Sequence, residues 1–114
     1  MICYTFIRQD MDIQHQLVQA CHSAYEAGSN FKDTKDIPYL ICLGMNDDKE
    51  LKSAEEFLRK HDIQYHKFFE PDNNLGHTSI STEPLDWEQK KLFSNFRLWK
   101  YKPELINQEV ASCN

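Results

Sequence analysis

The order in which strand-like and helix-like segments alternate constrains the fold of this chain most. Three short apolar runs, at 3–7, 39–44 and 63–69, are separated by two helix-like segments. Each helix returns the chain to the same end of the sheet, so these three strands are expected to run parallel. A fourth run, 78–82, follows a short connection and is expected to be antiparallel or at an edge. The pattern predicts one α/β domain over 1–102, a mixed four-stranded sheet with helices on both faces.

The predicted helices show an apolar face and recognisable ends. The second helix opens on Asp47 with Glu50 at the third position, a capping pattern, and should bury Leu51, Ala54, Phe57 and Leu58. A third helix is predicted at 86–93, capped by Asp86. The first runs from Ile13 to Gly28, which supplies a stop. Its apolar or small residues recur at helical spacing and predict one face, formed by Leu17, Cys21, Ala24, Tyr25 and Gly28.

Two further segments carry simple expectations. The run at 39–44 is apolar along its length, which fits a strand covered on both faces. Residues 103–114 have weak periodicity and are expected to form a frayed C-terminal tail.

The charge balance disfavours one class of function. The chain has 18 acidic and 13 basic side chains, a formal net charge of −5. A surface that wraps duplex nucleic acid needs the opposite sign. The segment 87–102 departs from this average, because five basic residues alternate there with aromatic ones. Either the aromatics close the core beneath a solvated face, or the segment stacks bases or binds an acidic partner.

Apolar runs and cysteines indicate the compartment. No run approaches the roughly 18–20 apolar residues of a membrane span, and the run 1–7 is too short for a signal peptide and lacks a basic leader. The four cysteines are scattered and favour neither a zinc site nor a disulfide framework: Cys3, Cys21, Cys42 and Cys113. We therefore expect reduced thiols, a cytoplasmic location, no membrane partner, and neither a metal nor a cofactor.

Polar side chains follow the ends of the predicted parallel strands. Ligands in open α/β sheets bind beyond the carboxyl ends of the strands, and the first helix should add free backbone N–H groups at that edge. The alternative is that polar residues always gather where strands end. The residues concerned are Arg8 and Asp10 after the first strand, Gly44, Met45 and Asn46 after the second, and Glu70, Asp72 and Asn74 after the third.

Two segments resemble a known family. The segment 8–11 (Arg-Gln-Asp-Met), followed by 19–24 (Gln-Ala-Cys-His-Ser-Ala) in a helix, resembles the opening of the archaeal/eukaryotic-type peptidyl-tRNA hydrolases. In that family a strand ending R-x-D-L precedes a helix reading G-K-x-A-A-Q-x-x-H-A. The segment 75–80 (Leu-Gly-His-Thr-Ser-Ile) resembles the family's D-A-G-x-T-x-I. The resemblance covers most of 2–99 and looks closest to a small branch from bacteria and phages.

The chain departs from this family where the family's chemistry resides. The catalytic lysine has no counterpart, and His15 and Gln16 occupy its neighbourhood. Asn74 stands where the family has an aspartate and cannot act as a base. Six residues match the family pattern: Arg8, Asp10, Gln19, His22, Gly76 and Thr78. The resemblance therefore implies the fold more strongly than the hydrolase activity.

The first functional hypothesis is a non-catalytic or weakly catalytic binder of a small nucleotide-like ligand. Arg8 would meet a phosphate, carboxylates would accept from ribose or base, and Thr78 would orient a polar edge. The resemblance further implies a phage protein that sequesters a nucleotide immune signal. The candidate ligand-binding residues are Arg8, Asp10, Gln19, His22, Glu70, Asp72, Asn74, His77 and Thr78.

The alternative is a divergent hydrolase that cleaves the ester of peptidyl-tRNA. His22 or His15 would substitute for the lysine, and Asp10 or Asp72 would orient water. The tRNA backbone would then contact the basic segment 87–102. His22 also has a structural interpretation, as a helix histidine hydrogen-bonded to the core. A homodimer is compatible with the sequence, because closed two-fold dimers are the commonest oligomers.

Overall fold

The computed structural model describes residues 1–31 and 35–102. It is a compact α/β domain with a four-stranded mixed sheet, two α-helices and a 3-10 helix at Trp87–Phe93. The predicted tail, 103–114, lies outside the described residues. The elements are β1 (Ile2–Arg8), α1 (Ile13–Asn30), β2 (Tyr39–Met45), α2 (Asp48–Lys60), β3 (Tyr65–Glu70) and β4 (Gly76–Thr82).

The sheet has the order β2-β1-β4-β3. β1 pairs with β2 in parallel, and β4 is antiparallel to both β1 and β3. The first three strands therefore run in one direction, as predicted from their helical connections. The fourth strand is antiparallel, as expected, but it lies inside the sheet between β1 and β3. The carboxyl ends of β1, β2 and β3 share one edge.

One face of the sheet forms the hydrophobic core with α2. Ile2, Tyr4 and Phe6 of β1 pack there against buried Leu51, Ala54 and Leu58, as the helical spacing predicted. Phe57 is only half-buried. The 3-10 helix closes the core from the side, where the Phe93 ring stacks on Tyr4 at 3.9 Å between centroids. The aromatics of 87–102 are thus divided, with Phe93 buried and Trp87 exposed.

The opposite face carries α1, and here the predicted orientation of the helix is wrong. The side chains that α1 buries are Gln16, Gln19, Ser23 and Ala27. The face predicted from Leu17, Cys21, Ala24, Tyr25 and Gly28 points outward instead. The helix also continues past Gly28 to Asn30. The reason lies in the sheet, which presents hydroxyl groups to α1.

Those hydroxyl groups form a short buried network. Ser81 Oγ lies 2.8 Å from Thr5 Oγ1 and 2.9 Å from Ser23 Oγ, so one residue from each of β1, α1 and β4 shares these bonds. Buried polar groups are tolerated when they are hydrogen-bonded. The α1 layer is therefore held by polar complementarity, and its larger apolar side chains, Leu17, Val18 and Tyr25, are left on the outside.

β2 is an edge strand, which corrects the prediction of a strand covered on both faces. Because α1 lies over β1, β4 and β3, the outer strand exposes Leu40 and Cys42 on that face, and Tyr39 is exposed on the opposite face. Residues 94–102, which we call the strap, cover the upper part of this edge. Gly44 donates its N–H to Arg97 O at 3.0 Å, and Trp99 donates its N–H to Cys42 O at 2.8 Å.

Side chains bind the strap to the other layers. Gln9 Nε2 donates to Lys100 O at 2.8 Å, and the Trp99 indole N–H donates to Gln16 Oε1 at 2.7 Å. A Cβ at Gly44 would lie 2.0 Å from Gln9 Oε1, so the glycine makes room for this bond. Across the described residues, no helix has the length and apolar character needed to cross a membrane.

Candidate functional site

The carboxyl edge of β1 and β3 gathers most of the candidate residues. Arg8 ends β1, Glu70 ends β3, and the loop at 71–75 lies between β3 and β4. α1 begins at the same edge and runs back across the sheet. The parallel directions of β1 and β3 thus place these segments together, as the sequence predicted.

Arg8 is a largely buried clamp that holds the 71–75 loop. Its Nε and Nη2 donate to the two carboxylate oxygens of Asp10 at 3.0 and 2.9 Å. Its Nη1 donates to Leu75 O at 2.6 Å and His77 O at 3.0 Å. These bonds use four of the five guanidinium N–H groups. The hydrogen bond to Asp10, opposed by partial burial, raises the pKa of Arg8 further. The guanidinium is thus committed to the protein's own acceptors.

The clamped loop has an unusual backbone. Asn73 and Asn74 have φ of 57° and 56°, and Gly76 has φ of 70°. Asparagine is one of the few residues besides glycine that enters the left-handed region readily. Asp72, Asn73 and Asn74 are exposed as a result. The clamp holds the loop against the end of β1 while its polar side chains face solvent.

Gln19 connects α1 to β3 and β4 beneath this loop. Its Nε2 donates to Glu70 Oε2 at 3.0 Å, and its Oε1 accepts from Thr78 Oγ1 at 2.7 Å. The pairing of β3 with β4 shifts between Phe68 and Phe69, so Thr78 is the extra residue of a β-bulge. Both Gln19 and Thr78 are fully buried. They position Glu70 and are themselves shielded from solvent.

Glu70 is the carboxylate that this network presents at the edge. It accepts from Gln19 Nε2, and its Oε1 accepts from the Asp72 N–H at 3.1 Å. These two hydrogen bonds, the one from Gln19 being the stronger influence, lower the pKa of Glu70. The group is therefore ionised at neutral pH and serves as an acceptor.

His22 lies on α1 beside Glu70. It is exposed, and its ring stacks on Phe68 of β3 with centroids 4.9 Å apart and planes 15° from parallel. This position differs from the structural interpretation, in which His22 is hydrogen-bonded to the core. One face of the imidazole rests on an aromatic ring and its edge carries two nitrogen atoms, so the pair forms a small aromatic platform.

A second histidine, His15, lies about two turns earlier on α1. His15 Nδ1 is 2.8 Å from Asp12 Oδ1, which also caps the helix by accepting the His15 backbone N–H at 2.9 Å. Both His15 and His22 lie near enough to Glu70 to influence its pKa. The N–H groups expected to be free at this helix end are directed to Asp12, whose pKa they lower. Fewer backbone N–H groups are therefore free to bind an anion at the start of α1 than the sequence predicted.

His77 is separated from the other candidates. The bulge turns it toward α2, where it lines a cavity of about 40 Å³ with Asp48, Lys52 and Glu55. Its Nδ1 is buried and has no hydrogen-bond partner among the described residues. A cavity of this size holds one water molecule. His77 thus contributes its backbone carbonyl to the Arg8 clamp rather than its ring to the edge.

Sequence reasoning missed Phe68, Asp12 and the row that α1 presents to β3. His15, Gln19, His22 and Glu26 recur at helical spacing, and Glu26 bonds to His66 of β3. The spacing of these polar residues was available in the sequence. It was overlooked because an apolar face was assumed to be the buried one.

Within 1–31 and 35–102, no group of three or more His, Cys, Asp or Glu side chains could hold a metal ion. Burial raises the pKa of the Cys3 thiol, which disfavours its reactive thiolate form.

Comparison with protein-family models and with curated proteins finds no match to this chain. The likeness to peptidyl-tRNA hydrolases stays a prediction from short motifs. What the structure supports is the coarser conclusion, a compact α/β domain with a mixed four-stranded sheet.

Proposed function

We propose that the protein binds a small nucleotide-like ligand through its nucleoside part at the edge formed by α1, Glu70 and the 71–75 loop. The observation that carries the proposal is the His22–Phe68 platform beside a carboxylate that is held ionised. A base can stack on the exposed imidazole face, and ribose hydroxyls can donate to Glu70. Stacking and charge-assisted hydrogen bonds suit a nucleoside in this way.

The charge at this edge favours the nucleoside over its phosphate. Asp10, Asp12, Glu70 and Asp72 belong to the segments that form this edge, while the donors of Arg8 are directed at Asp10 and two carbonyl groups. A phosphate would meet like charges here, so it would point toward solvent. This differs from the expectation that Arg8 meets a phosphate.

Binding without conversion is the simplest activity of such a site. The catalytic lysine of the resembling family is missing, and Asn74 replaces its aspartate. A protein that holds a nucleotide-like ligand lowers its free concentration. This is the sequestering role that the resemblance implies for a phage protein.

Calorimetric titration with the four common ribonucleosides, their 5′-monophosphates and their 2′-deoxy forms tests the proposal. We expect one ribonucleoside to bind at least as tightly as its monophosphate and more tightly than its deoxy form. Glu70→Gln should weaken binding by about tenfold or more, because a hydrogen bond to a charged group contributes about 1.5–3 kcal/mol. His22→Ala should weaken it similarly through lost stacking of about 1–3 kcal/mol.

Matched controls are Glu56→Gln and His61→Ala, which change the same residue types at exposed positions around α2. Neither should alter the affinity. Binding that survives both Glu70→Gln and His22→Ala, or the absence of binding by every nucleoside and nucleotide tested, would contradict the proposal.

The Asp12–His15 pair favours a second candidate function, hydrolysis of the peptidyl-tRNA ester. A carboxylate at Nδ1 holds the imidazole in the tautomer whose Nε2 can accept a proton from water. Release of free tRNA from purified peptidyl-tRNA, abolished by His15→Ala and preserved in His61→Ala, would establish this activity. Under the binding proposal no tRNA is released, and a bound nucleoside is recovered unchanged.

A further inference from the structure

The outward face of α1 is apolar and uncharged, which is unusual for a helix facing solvent. We call it the α1 outer face, and it comprises Leu17, Val18, Cys21, Ala24, Tyr25 and Gly28. Tyr25 is 79% exposed and Leu17 57%. In contrast, eight of the thirteen residues of α2 are charged. Among Asp, Glu, Lys and Arg, α1 contains only Glu26, which bonds to His66 away from this face.

The same apolar surface continues onto the edge strand. A recess of about 260 Å³ separates α1 from β2 and is lined by Ala24, Gly28 and Leu40. Leu40 is 61% exposed, and Cys42 is exposed two residues further along. Contiguous apolar surface of this kind on a small domain marks an interaction surface.

Charge identifies the kind of partner. The protein has a net charge of −5, but the α1 outer face carries no charged group that a polar or charged partner could pair with. A second copy brings an equally uncharged face, and the contact then places no like charges opposite one another. The lack of charged groups on the α1 outer face thus favours a second copy of the chain as the partner.

The arrangement of side chains is self-complementary about Cys21. At about 100° per residue, Leu17 and Tyr25 lie equally far on either side of Cys21, and so do Val18 and Ala24. In an antiparallel pair of helices related by a two-fold axis at Cys21, Leu17 of one copy meets Tyr25 of the other. On the two flanks of this contact, Val18 of one copy lies beside Tyr25 of the other, and Ala24 lies beside Leu17. An isologous interface requires this kind of correspondence.

The available area decides how tight such a contact is. α1 has 18 residues, so the α1 outer face is about 27 Å long. Its width is about 20 Å, which is the diameter of the helix plus two strand spacings. The face then covers roughly 540 Å² per copy, or roughly 1,100 Å² in total, just above the roughly 1,000 Å² of a specific interface. A contact of this area between two copies would be reversible and would depend on protein concentration.

We propose that two copies of this chain associate through the α1 outer face, with their α1 helices antiparallel about a two-fold axis at Cys21. The site described above lies on the neighbouring side of α1 and remains open in each copy. The interface is therefore independent of the proposed nucleoside binding, and either can fail without the other.

Sedimentation velocity from low to high micromolar concentration tests the interface, with Tyr25→Glu and Tyr101→Glu as a matched pair. Tyr101 is also exposed, at 49%, but lies on the strap. We expect the wild-type chain and Tyr101→Glu to dimerise reversibly with similar dissociation constants. Tyr25→Glu should raise that constant by about tenfold or more, because it places a carboxylate in an apolar contact.

Cross-linking with a short bismaleimide locates the axis. Cys21 of the two copies should be linked, so a covalent dimer forms with wild-type protein and with Cys42→Ser but is lost with Cys21→Ser. A chain that stays monomeric at high micromolar concentration overturns the proposal, as does a dimer equally weakened by both tyrosine variants. A covalent dimer that persists in Cys21→Ser moves the axis elsewhere and overturns it too.

Discussion

Arg8 illustrates how a residue at a strand end can serve structure rather than ligand binding. Arg8 is the last residue of β1, at the edge where ligands usually bind. The sequence alone therefore predicts that its side chain contacts a phosphate. The structure gives its donors to Asp10, Leu75 O and His77 O instead. Backbone carbonyl groups carry no sequence signal, so this use of the arginine could not be predicted.

We expect Arg8→Lys to lower the free energy of unfolding by about 1.5–3 kcal/mol, because hydrogen bonds that involve charged groups have about this value. A lysine cannot form the bidentate pair with Asp10 and also reach two carbonyl groups. Urea denaturation measures the loss. Arg97→Lys, at an exposed ion pair with Glu50, is the control and should change stability by about 0.2–1 kcal/mol. Equal losses in the two variants would argue against the clamp.

At the scale of elements, α1 shows why the apolar-face rule failed. The rule assumes that the sheet beneath a helix is apolar, yet Thr5, Ser79 and Ser81 present hydroxyl groups to α1. Gln16, Gln19 and Ser23 therefore face inward, and Leu17 and Tyr25 face out. For α2 the same rule was right, because the strands opposite it carry Tyr4, Phe6 and Ile80.

The hydroxyl network beneath α1 makes a non-additive prediction. Ser81→Ala should lower the free energy of unfolding by about 1–3 kcal/mol, because it leaves the Thr5 and Ser23 hydroxyls buried without their shared partner. The triple variant Thr5→Val, Ser23→Ala, Ser81→Ala should cost less than the sum of its three single variants. Urea denaturation of the four proteins measures the difference. Simple additivity would show that the three hydroxyls act independently.

For the molecule as a whole, the sequence predicted strand directions better than strand positions. Helical connections determine that β1, β2 and β3 run the same way, whereas placing β4 between β1 and β3 depends on pairings such as Phe6 with Ile80. β2 was expected to be covered on both faces because its residues are apolar. It lies at the edge, where the strap covers one part of it and Leu40 and Cys42 stay exposed.

Glu55 joins α2 to β3 and makes global stability depend on pH. Burial favours its protonated form, but hydrogen bonds from Tyr65 and Lys67 and the charge of Arg59 outweigh this and lower the pKa of Glu55. The Tyr65 hydroxyl donates to it at 2.7 Å. Since the native pKa is depressed, its contribution to stability is complete above the ordinary Glu value and is lost as the pH falls through the native one.

Glu55→Gln should therefore lower the free energy of unfolding at neutral pH by about 1–3 kcal/mol. The difference from wild type should shrink toward zero as the pH falls below the lowered pKa of Glu55. Urea denaturation along a pH series measures this, with the exposed Glu56→Gln as control. A difference that stays constant with pH would show that Glu55 acts through packing rather than charge.

The strap has a kinetic consequence for folding. Its hydrogen bonds join Gln9 to Lys100 and Trp99 to Gln16, which are 91 and 83 residues apart in the sequence. The two central strands, β1 and β4, also pair segments that are far apart in the sequence. Contacts between distant residues slow folding, because a long loop must close before they form. The two tryptophans then report different stages of folding. We expect Trp99 fluorescence to follow docking of the strap, while exposed Trp87 follows the 3-10 helix in which it lies.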